Sequence, residues 1–366
     1  MELVLYKVLD NSPMKQVFKE RISNMADSLM SSIVVKVPIN IAVIKYWGKK
    51  CEKEMLPMND SISLTINDLY ATTKILFDGH LDTDMIFINE NKYEIKEGSR
   101  YEKVFKETRK LIKNYYGDSK KLTSLLNKKF YVQSTTNFPV AAGLASSAAG
   151  FGAIAYGLGK LLNFSDHDIT YLARIGSGSA TRSVLPGLVI WKGNDSGECK
   201  TLFPENYWPE LRAIIVIVAE TEKEISSSVG MQRTLETSEF YKYRITNCVQ
   251  KNVEQVIEGY RERNFKKFAE VIMKDSNQFH AVCLDTRPPL KYMNDISWRL
   301  VNLAEAFNKD KIKVAYTFDA GPNCCYYIEK DNVNSILILL EKEGFSLQNR
   351  KIIISTVGGG PEIIRK

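Results

Sequence analysis

The chain has 366 residues, 44% of them hydrophobic and 25% charged, with 50 Lys and Arg against 43 Asp and Glu for a formal charge of +7. That length allows two or three domains with sizeable cores, and a positive excess spread thinly along the chain favours anionic small molecules over nucleic acid. No apolar run reaches the roughly 18 residues of a membrane span, six scattered cysteines without a Cys-x-x-Cys pair speak against a disulfide framework or a zinc ribbon, and three histidines lack metal-ligand spacing.

Glu2 and Asp10 interrupt what would be the apolar centre of a signal peptide, so the cytoplasm is the expected location. Residues 1–31 place Met14, Val17, Phe18, Ile22 and Met25 at spacings of three to four, which predicts an added amphipathic extension. From Ser32 to Trp47 the chain alternates and then turns nearly all apolar, which reads as strand, break and second strand. Asn40 and Lys45 stand out in that run, and Lys49 follows four positions later. One such lysine usually snorkels to solvent; two of them beside Tyr46 and Trp47 suggest an anion pocket.

Residues 59–66 alternate Ser61, Ser63 and Thr65 with Ile62, Leu64 and Ile66, predicting a half-buried strand. Asn67-Asp68 should then turn the chain into another strand over 71–77, giving a meander. A hairpin around 89–91 and a basic helix over 101–116 follow, and a strand over 130–134 leads into Asn-Phe-Pro-Val-Ala-Ala-Gly-Leu-Ala-Ser-Ser-Ala-Ala-Gly, residues 137–150. Small side chains there allow close approach to the backbone, and free N–H groups at a helix start suit a phosphate, with Ser146 and Ser147 adding hydroxyls. The stretch is neither a Walker A loop nor a Rossmann fingerprint, and an Ala/Gly run that merely packs tightly stays open.

A helix over 169–175 capped by Ser165 or Asp166 precedes Gly176–Ser183, a flexible loop or a second anion cradle in which Arg182 offers a planar fork. The turn-rich span 193–209 is the expected boundary between a unit of 32–205 and one of 206–366. In the second unit a strand over 211–219, helices over 231–258, 265–277, 292–308 and 333–343, and strands over 314–319 and 351–356 fit an α+β sandwich. Asp319 ends a strand before a tight turn, where it either caps the turn or does chemistry. Ser226–Ser228 reads as a helix N-cap or a contribution to a site.

Five ordered motifs carry a resemblance: residues 38–49 around Lys-Tyr-Trp-Gly-Lys, Asn59–Thr65, the glycine-rich stretch 137–151, Gly176–Ser183, and Tyr316–Asn323. With Asp275–His280 and Tyr292-Met-Asn they resemble the mevalonate diphosphate decarboxylase family of the GHMP kinase superfamily, over roughly residues 33–361. The resemblance implies an α+β, two-domain GHMP kinase-like fold, with an N-terminal ribosomal-S5-like domain and a C-terminal ferredoxin-like α+β sandwich. It implies ATP and Mg2+ as cofactors, mevalonate 5-diphosphate as substrate, and a homodimer without nucleic-acid or membrane partners. Asp319 and Lys45 would stand at the reacting C3 hydroxyl, with Arg182 on the substrate carboxylate beside Ser177 and Ser179. Asn40, Tyr46, Lys49 and Arg100 would complete the substrate site, Arg100 lying one position off the family pattern. Pro139, Ala142, Gly143, Leu144, Ala145, Ser146, Ser147 and Ala148 would cradle ATP, with Ser146 or Ser147 near Mg2+ and Ser227 approaching from the second unit. Two departures stand out: Thr181 where the family usually has Cys, and Leu185-Pro186-Gly187 in place of an aromatic-Gly-Gly turn. The alternatives are a monophosphate decarboxylase, a 3-kinase-like enzyme or a non-catalytic nucleotide-binding protein.

Overall fold

The structure, a computed structural model, describes residues 32–117, 120–138, 146–219 and 224–366, so the extension expected over 1–31 lies outside the described residues. β1 (Ser32–Ile44) and β4 (Ser61–Asp78) are long strands paired antiparallel from Ser32↔Leu76 to Ile44↔Ile62, with the short ribbon β2 (Lys49–Cys51) and β3 (Leu56–Pro57) between them in the chain. The expected break and meander are therefore not formed. Pro38 sits at a register shift, facing Tyr70 while Ile39 faces Ile66, and the extra residues 67–69 bulge from β4. The N–H groups of Asn67 and Asp68 donate to the Thr356 carbonyl at 3.3 Å and the Ser355 hydroxyl at 3.1 Å. A turn signal becomes a bulge because a distant segment supplies its hydrogen-bond partners. The expected half-buried face is also corrected: Ser61, Ser63 and Thr65 are as buried as Ile62, Leu64 and Ile66, since both faces of β4 are covered there.

β5 (Met85–Ile88) and β6 (Asn91–Tyr93) form the hairpin, its turn residues Asn89 and Glu90 adopting positive φ. Next come α1 (Arg100–Tyr116), α2 (Lys120–Asn127), β7 (Lys129–Thr136), α3 (Ser146–Leu161), α4 (Asp166–Gly176), α5 (Ala180–Ser183), β8 (Leu188–Trp191) and β9 (Cys199–Phe203). Ser99 caps α1 and Ser165 caps α4 through their side-chain oxygens. The small residues of α3 let it lie close on its neighbours. A Cβ at Gly157 would stand 2.7 Å from Ile75 of β4, and one at Gly159 would stand 2.2 Å from Ile169 of α4.

The second half runs β10 (Leu211–Val216), α6 (Ser227–Thr237), α7 (Glu239–Tyr243), a π turn (Arg244–Cys248), α8 (Val249–Arg261), α9 (Phe265–Asp285), α10 (Asp295–Phe307), β11 (Val314–Phe318), β12 (Cys324–Glu329), α11 (Val333–Lys342), β13 (Ile352–Ser355) and β14 (Glu362–Arg365). The single helix expected over 231–258 is divided because Ser238 caps a new helix at Tyr241 N, and the helix expected to stop at 277 continues to Asp285. Strands β11-β12-β10-β13 form a four-stranded antiparallel sheet, the α+β sandwich expected. The first sheet has eight strands in the order β14-β1-β4-β7-β5-β6, with β8 on β4 and β9 on β8. Its outermost strand comes from residues 362–365, so the last part of the expected 206–366 unit pairs with β1 of the first.

One contiguous apolar core includes Ile39 and Leu64 from the first sheet and Ile214, Phe268 and Tyr327 from the second half. A satellite cluster gathers Trp47, Met231, Tyr241, Phe279 and Tyr292. Helix α9 packs on both β1 and β11, so it spans the two halves where the site forms.

Candidate active site

The block that follows β1 sends successive side chains to different partners. Lys45 Nζ donates to Asp319 Oδ1 at 2.6 Å and to the Ala42 carbonyl at 2.7 Å. The lysine side chain is 3% exposed and the aspartate 31%, so the ammonium is enclosed while the carboxylate keeps one open side. The alternative in which Asp319 only caps its own turn is set aside by that contact. Tyr46 lies against Trp191, ring centroids 4.7 Å apart, and its buried hydroxyl has no partner. Burial pushes its pKa up, so it is a neutral donor. Trp47 enters the satellite cluster edge-on to Phe279 and Tyr292, and its indole N–H donates to Thr234 Oγ1 at 3.0 Å. Gly48, at φ 82°, allows the Tyr241 hydroxyl to donate to the Trp47 carbonyl at 2.5 Å; a Cβ there would meet that hydroxyl at 2.1 Å. Lys49 Nζ then pairs with Glu52 Oε2 at 2.9 Å.

Arg182 is almost fully buried on α5, and the segment expected as loop or cradle is thus a short helix. Its Nε donates to Asn40 Oδ1 at 3.1 Å and one terminal nitrogen to Ser61 Oγ at 3.0 Å. Asn40 is locked in turn, its amide donating to the Ser179 carbonyl at 2.9 Å and to Ser183 Oγ at 2.8 Å. Burial lowers the Arg182 pKa, opposed by Cys199, Asp319 and Tyr46. A buried guanidinium held by neutral oxygens has the charge and geometry to pair with an anion such as a carboxylate. The Thr181 departure is absorbed locally: its hydroxyl donates to the Thr170 carbonyl at 3.1 Å. Thr65 meets the other departure, donating to the Leu185 carbonyl at 2.8 Å.

On the side expected to hold the nucleotide, α3 is described from Ser146 onward, and Ser147 Oγ lies 3.4 Å from Ser177 Oγ, itself 3.3 Å from Ser179 Oγ. This row joins the expected ATP and substrate sites. Pro139, Ala142, Gly143, Leu144 and Ala145 lie outside the described residues, as does the Ser146 side chain, while Ala148 is buried within α3. Neutral hydroxyls beside a helix start fit phosphate oxygens and a Mg2+ that keeps waters and phosphates as most of its ligands. Arg100 opens α1 with its guanidinium 4.9 Å from the Phe151 ring of α3. Ser227 is the first residue of α6, but the capping side chain is Ser226, which accepts from Val229 N at 3.3 Å.

The motif Asp275–His280, part of the resemblance but without a site role implied by it, braces the backbone beside Lys45 and Asp319. Asp275 Oδ2 accepts from the Lys45 backbone N–H at 2.8 Å, and Ser276 Oγ accepts from the Phe318 N–H at 3.0 Å. His280 is held to about pKa 3 by burial and the nearby Lys45 charge, so it is a neutral imidazole beside the pair.

The matched families agree with this geometry. Residues 37–201 match the diphosphomevalonate decarboxylase-like N-terminal domain and residues 213–356 the mevalonate 5-diphosphate decarboxylase C-terminal domain. The diphosphomevalonate decarboxylase of Homo sapiens is 40% identical over 315 residues, 83% of this chain and 78% of that protein. A crystal structure of mevalonate 5-diphosphate decarboxylase superposes with a TM-score of 0.82 at 33% identity, covering 92% of this chain and 98% of that one. A second, MDDEF in complex with MVAPP, AMPPCP and magnesium, gives 0.81 at 32% identity, covering 92% and 99%. With both halves matched in order, the chain belongs to the diphosphomevalonate decarboxylase family.

Proposed function

We propose that this protein converts mevalonate 5-diphosphate and ATP to isopentenyl diphosphate, ADP, phosphate and CO2, in the mevalonate route to isoprenoids. The observation that carries the reading is the 2.6 Å contact of Lys45 with Asp319, contributed by the two halves of the molecule and flanked by buried Arg182. A tertiary hydroxyl leaves poorly, so it must first be phosphorylated; departure of phosphate then leaves positive character at C3, which the electrons of the breaking C–CO2 bond neutralise. Mg2+, bound with the ATP phosphates, supplies charge neutralisation during phosphoryl transfer.

The chain's own groups divide the rest. Asp319 orients the C3 hydroxyl and can accept its proton through the open side of its carboxylate. Lys45, tied to Asp319, adds positive charge at the transferring group. Arg182 fixes the substrate carboxylate for in-place loss of CO2, with Ser177 and Ser179 beside it and Asn40 fixing the guanidinium. Tyr46 and Lys49 hold the diphosphate, and Arg100 reaches its distal end. The helix start at Ser146 and the Ser147 hydroxyl, with the 139–145 segment and Ser227, hold ATP.

Coupled detection of ADP and CO2 on purified protein tests the reaction, and absence of substrate-dependent CO2 ends it. A higher kcat/KM on the monophosphate would transfer the assignment to that substrate. We further propose a cytoplasmic homodimer as the working state. No described helix is long and apolar enough to cross a membrane. Light scattering that finds only monomer mass would remove the dimer.

A further inference from the structure

The reacting pair is split between the two halves of the molecule, and something must hold the halves in register at that point. Lys45 comes just after β1 and Asp319 just after β11, so both backbones are leaving their sheets. Two buried N–H groups there would lack partners without side-chain acceptors, which destabilises the folded state. The acceptors are consecutive residues of α9. Successive helical side chains diverge by about 100°, so neighbours on one helix can face two different segments. Asp275 reaches the Lys45 N–H at 2.8 Å, and Ser276 reaches the N–H of Phe318, the residue before Asp319, at 3.0 Å.

Asp275 is fully buried and saturated. Its Oδ1 accepts from Asn252 at 3.0 Å and is ion-paired with Arg244 at 3.0 Å, and its Oδ2 accepts from Arg244 at 3.1 Å besides the Lys45 N–H. Arg244 is itself buried at the start of the π turn, a helix irregularity frequent at functional sites. Buried ion pairs add little net stability over apolar residues of equal volume, so the pair is better accounted for by the geometry it imposes than by stability.

We propose that Asp275 and Ser276 are positioning residues for the reaction: they set the approach of Lys45 to Asp319 by holding the backbone next to each. The proposal rests on the reading of Lys45 and Asp319 as the reacting pair. Neither positioning residue needs to touch substrate, so their loss acts on the chemical step and leaves ground-state binding in place.

The test is steady-state kinetics of ADP and CO2 release with melting temperatures for each variant. Ser276→Ala is expected to lower kcat about tenfold with both KM values within about twofold, and Ser276→Thr, which keeps the hydroxyl, to recover most of it. Asp275→Ala strands Arg244 and can fail to fold. The double variant Asp275→Ala/Arg244→Leu removes both buried charges and is expected to recover most of the melting temperature lost in Asp275→Ala, but not kcat. Recovery of kcat together with the melting temperature would overturn the proposal, because Asp275 would then serve only to neutralise Arg244. Unchanged kcat in Ser276→Ala, or a loss confined to KM, would overturn it as well. An inactive wild-type protein would instead defeat the site reading, which separates the two failures.

Discussion

Lys45 and Lys49 lie four residues apart, with side chains only 3% and 7% exposed, yet the two ends of this short segment are built differently. The partner of Lys45 is Asp319, 274 positions away and just past a strand of the other sheet, and the Lys45 main chain is gripped by α9. The partner of Lys49 is Glu52, three positions on, 70% exposed and in the turn just after β2. One ammonium is fixed by the whole fold, the other by a surface acid that an incoming anion can replace. On the proposed reading, a pair of the first kind suits chemistry, where small misplacements are costly, and a pair of the second kind suits exchange, where a substrate diphosphate would take the place of the carboxylate.

The sharpest way to break this contrast is Asp319→Asn, expected to remove CO2 release by at least about a thousandfold while ATP binding by calorimetry stays nearly intact. Loss of nucleotide binding would contradict the assignment. Arg182→Gln should lower kcat/KM by about a hundredfold through misplacement of the carboxylate, and unchanged kinetics would take Arg182 out of the site. At the exchangeable end, Lys49→Met should raise KM for the diphosphate about tenfold with little change in kcat. A large kcat loss there would erase the distinction between the lysines. Glu52→Gln should move the same KM down by about two- to fivefold, since the competing carboxylate is gone, and a rise would show that Glu52 supports the pocket.

The smallest effect concerns His280, which faces Lys45, Asp319 and the Phe318 backbone. Its folded pKa of about 3 lies below the ordinary 6.5, so the unfolded chain binds the extra proton between those values and stability is lost as pH falls through that window. His280→Gln should flatten that dependence, read as a smaller drop in urea midpoint from pH 7 to pH 5. An identical drop in both proteins would show that the imidazole does not contribute.

Much of the site could be read from local patterns: polar residues in an apolar run at Asn40 and Lys45, the carboxylate at a strand end, the single Arg in a small polar segment. What could not be read depends on partners far along the chain. Asn67-Asp68 has the composition of a turn, and only the arrival of Ser355 and Thr356 makes it a bulge. Asp275 and Ser276 carry no motif of their own. A signal existed in their helical spacing with Phe268, Ile272, Phe279 and Cys283, which places both on the buried side of a helix once that helix is followed to Asp285. The strand β12 was missed because its Cys-Cys-Tyr-Tyr run is apolar on both faces and shows no alternation.

The pairing of β14 with β1 ties Glu362, Ile363 and Arg365 to Lys36, Val35 and Val34, across almost the whole described chain. A nascent chain therefore exposes one flank of β1 to unwanted pairing until residues 362–365 have been made, and must keep that flank from other strands in the meantime. It also means that expressing residues 32–205 and 206–366 as separate polypeptides would leave the first without one of its own strands.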